Sequence, residues 1–126
     1  MSRVADSVIR IESPVDDSFF VYWFRFLEPI HHLTDKEIEV VAAFARHRYE
    51  LGKSIKDDVI LDRYLFSEET KRSIREELKM TANNFQVVLG KFKKKGVFVD
   101  GRINPKLLPK LGDSQDSYKL MLYFKL

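Results

Sequence analysis

Residues 74–98 read IREELKMTANNFQVVLGKFKKKGVF, and the order of elements in this stretch decides the fold. Ile74 and Leu78 sit four residues apart, the spacing of neighbours on one helix face. Met80 follows as a turn residue. Thr81 is a helix-capping residue by type and position. Phe85, Val88, Leu89 and Phe92 then repeat at i, i+3, i+4 and i+7, the apolar stripe of a helix over 82–95. Gly96 releases the chain, since glycine takes the left-handed conformation that ends helices. Val97-Phe98-Val99 reads as a strand. Asp100-Gly101 is a strong tight-turn signal, and Arg102-Ile103-Asn104 reads as the return strand. The stretch is therefore helix, three-residue turn, helix, hairpin.

Working outward, Thr34 and Glu37 have the spacing of a capping box, with Leu33 and Ile38 placed for the hydrophobic staple. Ile38, Val41, Ala42 and Ala45 continue at helical spacing to a stop at Gly52, which predicts a helix over 35–51. A further helix is expected from Asp57 to Leu65, with Ile60, Leu61, Tyr64 and Leu65 on one side. Ser67 caps the next, with Glu68 and Glu69 in its first turn, where negative charge suits the helix dipole. At the start, Val8 to Glu12 predicts a short strand closed by Ser13-Pro14. A helix capped by Asp16, Asp17 or Ser18 follows and is expected to stop at Pro29. That helix is aromatic nearly all round, so Phe20, Trp23 and Phe24 read equally as core or as a partner surface. Tyr118 to Leu126 alternates and predicts a strand, paired within one sheet or with another subunit.

The 126 residues fit one domain, or one domain with an arm. With 44 % hydrophobic and 33 % charged residues, whole-chain disorder is excluded. No cysteine is present, which excludes disulfides, thiol catalysis and zinc–thiolate sites. No apolar run is long enough to span a bilayer and the start lacks a signal-peptide core, so a cytoplasmic protein is expected. The net charge of +3 conceals an asymmetry: residues 91–126 hold nine Lys/Arg against three Asp/Glu, and residues 1–90 hold thirteen against sixteen. Anionic partners exploit such a basic end. His31, His32 and His47 lack metal-ligand spacing, and no nucleophile elbow or phosphate-binding glycine loop occurs, so neither an enzyme, a metal nor a cofactor is expected.

Several motifs, in their order, resemble the winged-helix DNA-binding proteins, and MarR-type regulators most. These are Leu33-Thr34 with Glu37 at the opening helix, Leu89, Phe92, Lys95, Gly96 and Val97 at the second helix and its exit, and Asp100-Gly101-Arg102 in the wing. The resemblance covers about residues 33–104. It implies a helix 82–95 that enters the major groove of double-stranded DNA. Lys79 departs from it, standing where the turn usually has glycine. The dimerisation helices of the MarR pattern are not evident, and no ligand pocket is carried over. The layout is also similar to that of small phage-encoded proteins, which would place the chain in a host cytoplasm or a virion.

The residues themselves suit that role. With the apolar stripe inward, the second helix turns Asn83, Val87, Gly90 and Lys94 outward, flanked by Gln86 and Lys91. Asn83, Asn84 and Gln86 are the candidate base readers, because side-chain amides pair bidentately with adenine. Lys91, Lys93 and Lys94, with Lys71, Arg72, Arg75, Thr81 and Arg102, are the candidate phosphate contacts. The same residues also read as an ordinary solvated surface, with Glu68 and Glu69 pairing with Arg72. The expected fold class is mostly helical α+β with a small antiparallel sheet. Residues 1–32 form an N-terminal strand and aromatic helix, and residues 33–126 the winged-helix domain, in one compact unit. The expected function is transcriptional or phage regulation. The alternative is a non-enzymatic structural or assembly protein that uses the scaffold for protein contacts.

Overall fold

Four helices begin at a polar side chain that accepts a hydrogen bond from the backbone N–H three residues on. Thr34 accepts from Glu37 at 3.2 Å, Asp57 from Ile60 at 3.0 Å, Ser67 from Thr70 at 3.3 Å and Thr81 from Asn84 at 3.1 Å. Each bond satisfies an N–H that the helix cannot, a contribution of about 1 kcal/mol per cap. The computed structural model describes residues 17–111 and Lys125. Its helices are α1 (Asp17–Phe26), α2 (Glu28–His31), α3 (Asp35–Gly52), α4 (Asp58–Leu65), α5 (Glu68–Glu77) and α6 (Ala82–Lys94). Strands β1 (Phe98–Val99) and β2 (Arg102–Ile103) follow, then a 3-10 turn at Pro105–Leu107. The protein is mostly helical α+β, with one two-stranded antiparallel sheet among the described residues. The expected strands Val8 to Glu12 and Tyr118 to Leu126 lie outside the described residues.

The hairpin pairs Phe98 with Ile103 and Val99 with Arg102. Asp100 and Gly101 both have positive φ, +52° and +72°, which is the geometry of a type I′ turn. Asn104 extends the pairing: its N–H donates to the Val97 carbonyl at 2.8 Å, and its side-chain amide donates to the Gly96 carbonyl at 3.0 Å.

Helix α3 is the centre of the molecule. Ile38 and the whole run Val40 to Ala45 are buried, so the helix is covered on nearly every side. Phe44 stacks on Phe66 (5.5 Å between ring centroids) and on Phe85 (6.0 Å), and meets the edge of Phe98 at 5.1 Å. Phe98 in turn meets Phe66 and Phe92 edge-on. One aromatic cluster thus joins α3, the end of α4, α6 and the hairpin. On another side α1 packs against α3. Phe20, Trp23 and Phe24 are all buried, so a partner surface at these residues is corrected to core. Their aromatic area is spent inside, and the indole N–H of Trp23 donates to the Leu107 carbonyl at 2.8 Å.

Three further expectations are corrected. Pro29 does not end the helical region. It lies in the first turn of α2, where a missing N–H breaks no helical bond. Gly52 is the last residue of α3, not its stop, and Lys53 caps it in the right-handed conformation. On α4, Leu61 and Leu65 are buried, but Ile60 and Tyr64 are about half exposed. An eight-residue helix lying on α3 offers only a narrow inward strip, and these two fall at its edge.

The turn before α6 is a standard Schellman motif despite its lysine. Met80 N–H donates to the Arg75 carbonyl and Lys79 N–H to that of Glu76, both at 3.1 Å. Lys79 takes the left-handed conformation with φ +55°. Helix α6 ends the same way, Val97 bonding to Phe92 and Gly96 to Lys93, with Gly96 at φ +75°. A side chain in this region costs roughly 1–2 kcal/mol, less what glycine loses by its freer unfolded chain. Lys79→Gly should therefore stabilise the fold by up to about 1 kcal/mol in urea titration. Gly96→Ala should destabilise it.

His31 is held between two backbone groups. The N–H of Leu33 donates to its Nδ1 at 2.9 Å, so Nδ1 must accept. The proton is then on Nε2, which donates to the Phe24 carbonyl at 2.6 Å. Burial lowers the pKa of His31 below 6.5, and the Phe24 bond only partly opposes this. A depressed folded pKa means that the unfolded chain takes its proton first. The His31 contribution is present above about pH 6.5 and is lost as pH falls through the folded pKa. Wild-type melting temperature should drop between pH 7 and pH 5, and part of that slope should vanish in His31→Gln. Parallel slopes would contradict the assignment.

Candidate nucleic-acid interface

The outward face of α6 follows from the inward one. At about 100° per residue, the buried Phe85, Val88, Leu89 and Phe92 put Asn83, Gly90 and Lys94 near the opposite side. Asn83, Asn84, Gln86, Lys91, Lys93 and Lys94 are all exposed, and α6 carries no acidic residue. Val87 stands among them, 51 % exposed. The helical spacing that turns Asn83 outward turns Val87 outward too, yet Val87 is not among the candidate base readers, which are chosen for their amides.

The three candidate lysines are not equivalent. The Glu37 carboxylate of α3 is buried and reaches across to the end of α6. It accepts from Lys95 Nζ at 3.1 Å and lies 3.8 Å from Lys91 Nζ, while also accepting from the Thr34 N–H in the capping box. Burial alone would raise its pKa, but the Thr34 bond and the two lysines outweigh that and hold the carboxyl below 4.5. Its contribution to stability is present above about pH 4.5 and is lost as pH falls through the folded pKa. Lys95 also donates to the His32 carbonyl. Lys91 is thus partly committed to the body, whereas Lys93 and Lys94 face solvent and pair with no acid among the described residues.

The structure brings Lys71, Arg72 and Arg75 of α5 together with Gln86 of α6, around a groove of about 200 Å³ floored by Ala82 and Phe85. Glu68 is the one acid on its rim, and it pairs with Lys71 at 3.1 Å, not with Arg72. Arg75 donates to the Met80 carbonyl at 3.4 Å, bracing the turn as it lines the groove. Thr81 is occupied as the α6 cap. Arg102 is exposed on β2 beside the turn, apart from the groove.

Other basic residues are spent on structure. Arg46 and His47 of α3 both bond the Glu77 carboxylate of α5, and Arg48 bonds Asp62 of α4 at 3.0 Å. Burial would raise the Glu77 pKa, but Arg46 and His47 outweigh it and lower the pKa. A larger groove of about 450 Å³ lies away from α6, against the end of α3. Three of its cations are paired: Arg48 with Asp62, Lys53 with Glu50, and Lys56 with the Gly52 carbonyl. Among the described residues, no group of three His, Asp or Glu is placed to hold a metal ion, and no helix is long and apolar enough to cross a membrane. No family model, curated protein or solved structure matches this chain.

Gly90 is the anomaly of this face. Its φ is not positive, and a Cβ built on it meets nothing within 4 Å. Neither backbone strain nor packing calls for glycine. Glycine in a helix interior costs about 1 kcal/mol relative to alanine. Gly90→Ala should therefore stabilise the fold by about that amount in a denaturant titration. A destabilised variant would show that Gly90 serves the fold after all.

Proposed function

We propose that this chain is a winged-helix protein that binds double-stranded DNA and acts as a transcriptional or phage regulatory factor, without catalysis. Helix α6 lies in the major groove. Lys93 and Lys94 neutralise phosphates beyond its last turn, and the basic groove between α5 and α6 meets the backbone at the other end. Arg102 at the wing reaches an adjacent minor groove. The observation that carries this reading is the acid-free outward face of α6, its amides and two lysines that pair with no acid among the described residues, beside the groove of Lys71, Arg72 and Arg75.

One observation favours a second reading. Val59, Ile60 and Tyr64 of α4 are exposed apolar residues on one short helix, which suits an assembly protein that contacts other proteins through this scaffold. Affinity for random duplex DNA over a range of salt separates the two. The DNA reading expects log affinity to fall linearly with log salt, and the Lys93→Ala, Lys94→Ala double variant to reduce the slope by about 1.8. Lys91→Ala should change the slope less than either, because Glu37 already holds part of its charge. Absence of duplex binding at low salt would refute the DNA reading.

A further inference from the structure

The base-facing part of α6 has a chemical bias. Within the helix there is no arginine to pair bidentately with guanine O6 and N7, and no carboxylate to accept from cytosine N4. Its lysines begin only at Lys91, in the last turns. The first two turns present Asn83, Asn84 and Gln86, whose amides match the N6 and N7 edge of adenine, and Val87. A valine 51 % exposed beside these amides lies outside the buried core, which Val88 and Leu89 serve from the other side. In a major groove it has one apolar counterpart, the 5-methyl group of thymine. Gly90, one turn on, removes the side chain that would hold the helix off the base edges beside Val87.

We infer that α6 selects A·T pairs, with Val87 receiving a thymine methyl group beside the adenine-reading amides of Asn83 and Gln86. The inference rests on the DNA-binding function proposed above and adds the class of sequence bound. Gly90 sets the depth at which the contact is made. Asn83 and Gln86 supply the hydrogen bonds, and Val87 supplies discrimination between A·T and the reverse pair.

The test uses the full chain and duplexes selected from a random pool. Each thymine of the selected site is then replaced by uracil, which removes the methyl and leaves the pairing edge unchanged. At one thymine, wild type should lose roughly three- to fivefold in affinity, the worth of one buried methyl contact. Val87→Ala, an exposed change, should bind the thymine and uracil duplexes equally. Selected sites without A·T pairs under α6 would overturn the inference. So would a uracil effect of the same size in wild type and Val87→Ala. If wild type binds all duplexes alike, the inference fails while DNA binding stands. If it binds none, both fail together.

Discussion

The stacking of Phe44 between Phe66 and Phe85, with Phe98 against its edge, is the constraint on which the rest of the structure depends. Each aromatic pair contributes about 0.5–1.5 kcal/mol beyond its buried area. More important is where the rings come from. Phe66 closes α4, Phe85 sits in the first half of α6 and Phe98 opens the hairpin. A two-stranded hairpin with two paired residues per strand is not stable alone. It persists because Phe98 is sunk into this cluster and Ile103 is buried beside it. Removing the Phe44 ring would cost about 3–5 kcal/mol and detach α6 and the hairpin from α3 together.

Charge fixes the orientation that the rings leave free. The basic run Arg46, His47 and Arg48 could pass for an anion-binding patch. Glu77 and Asp62 take it up and so fasten α5 and α4 to α3. Glu37 does the same between the start of α3 and the end of α6. Glu37 and Asp62 are both buried, where losing one partner of an ion pair leaves an uncompensated charge. Among the described residues, Lys93 and Lys94 at the end of α6 pair with no acid, and neither do Arg72 and Arg75 on α5, where Glu68 bonds Lys71. Of the four lysines at 91–95, buried Glu37 takes up Lys95 and part of the charge of Lys91, and leaves Lys93 and Lys94 to solvent.

The starts of α3 to α6, the Asp100-Gly101 turn, the inward stripe of α6 and the mostly helical α+β class are legible in the residues alone, because each depends on neighbours within a few positions. Thr34 with Glu37 makes its capping box whatever surrounds it. Asp100-Gly101 turns left-handed because those residue types tolerate it best. The outward placement of Asn83, Gln86 and Lys94 follows from helical period once Phe85 and Phe92 are inward.

What only the tertiary structure decided is which equivalent residues are used, since that depends on partners far along the chain. No local signal separates Lys91 from Lys94; Glu37, more than fifty residues away, does so. Lys79 holds a left-handed turn against its own preference because Leu78 and Met80 are drawn towards the core on either side of it. Phe20, Trp23 and Phe24 could have faced a partner by pattern, and α3 covers them instead. Ile60 and Tyr64 fit an apolar stripe and remain half exposed, because α4 meets α3 along a strip too narrow to cover them. Local geometry is written in neighbouring side chains. Burial is settled by what packs from elsewhere.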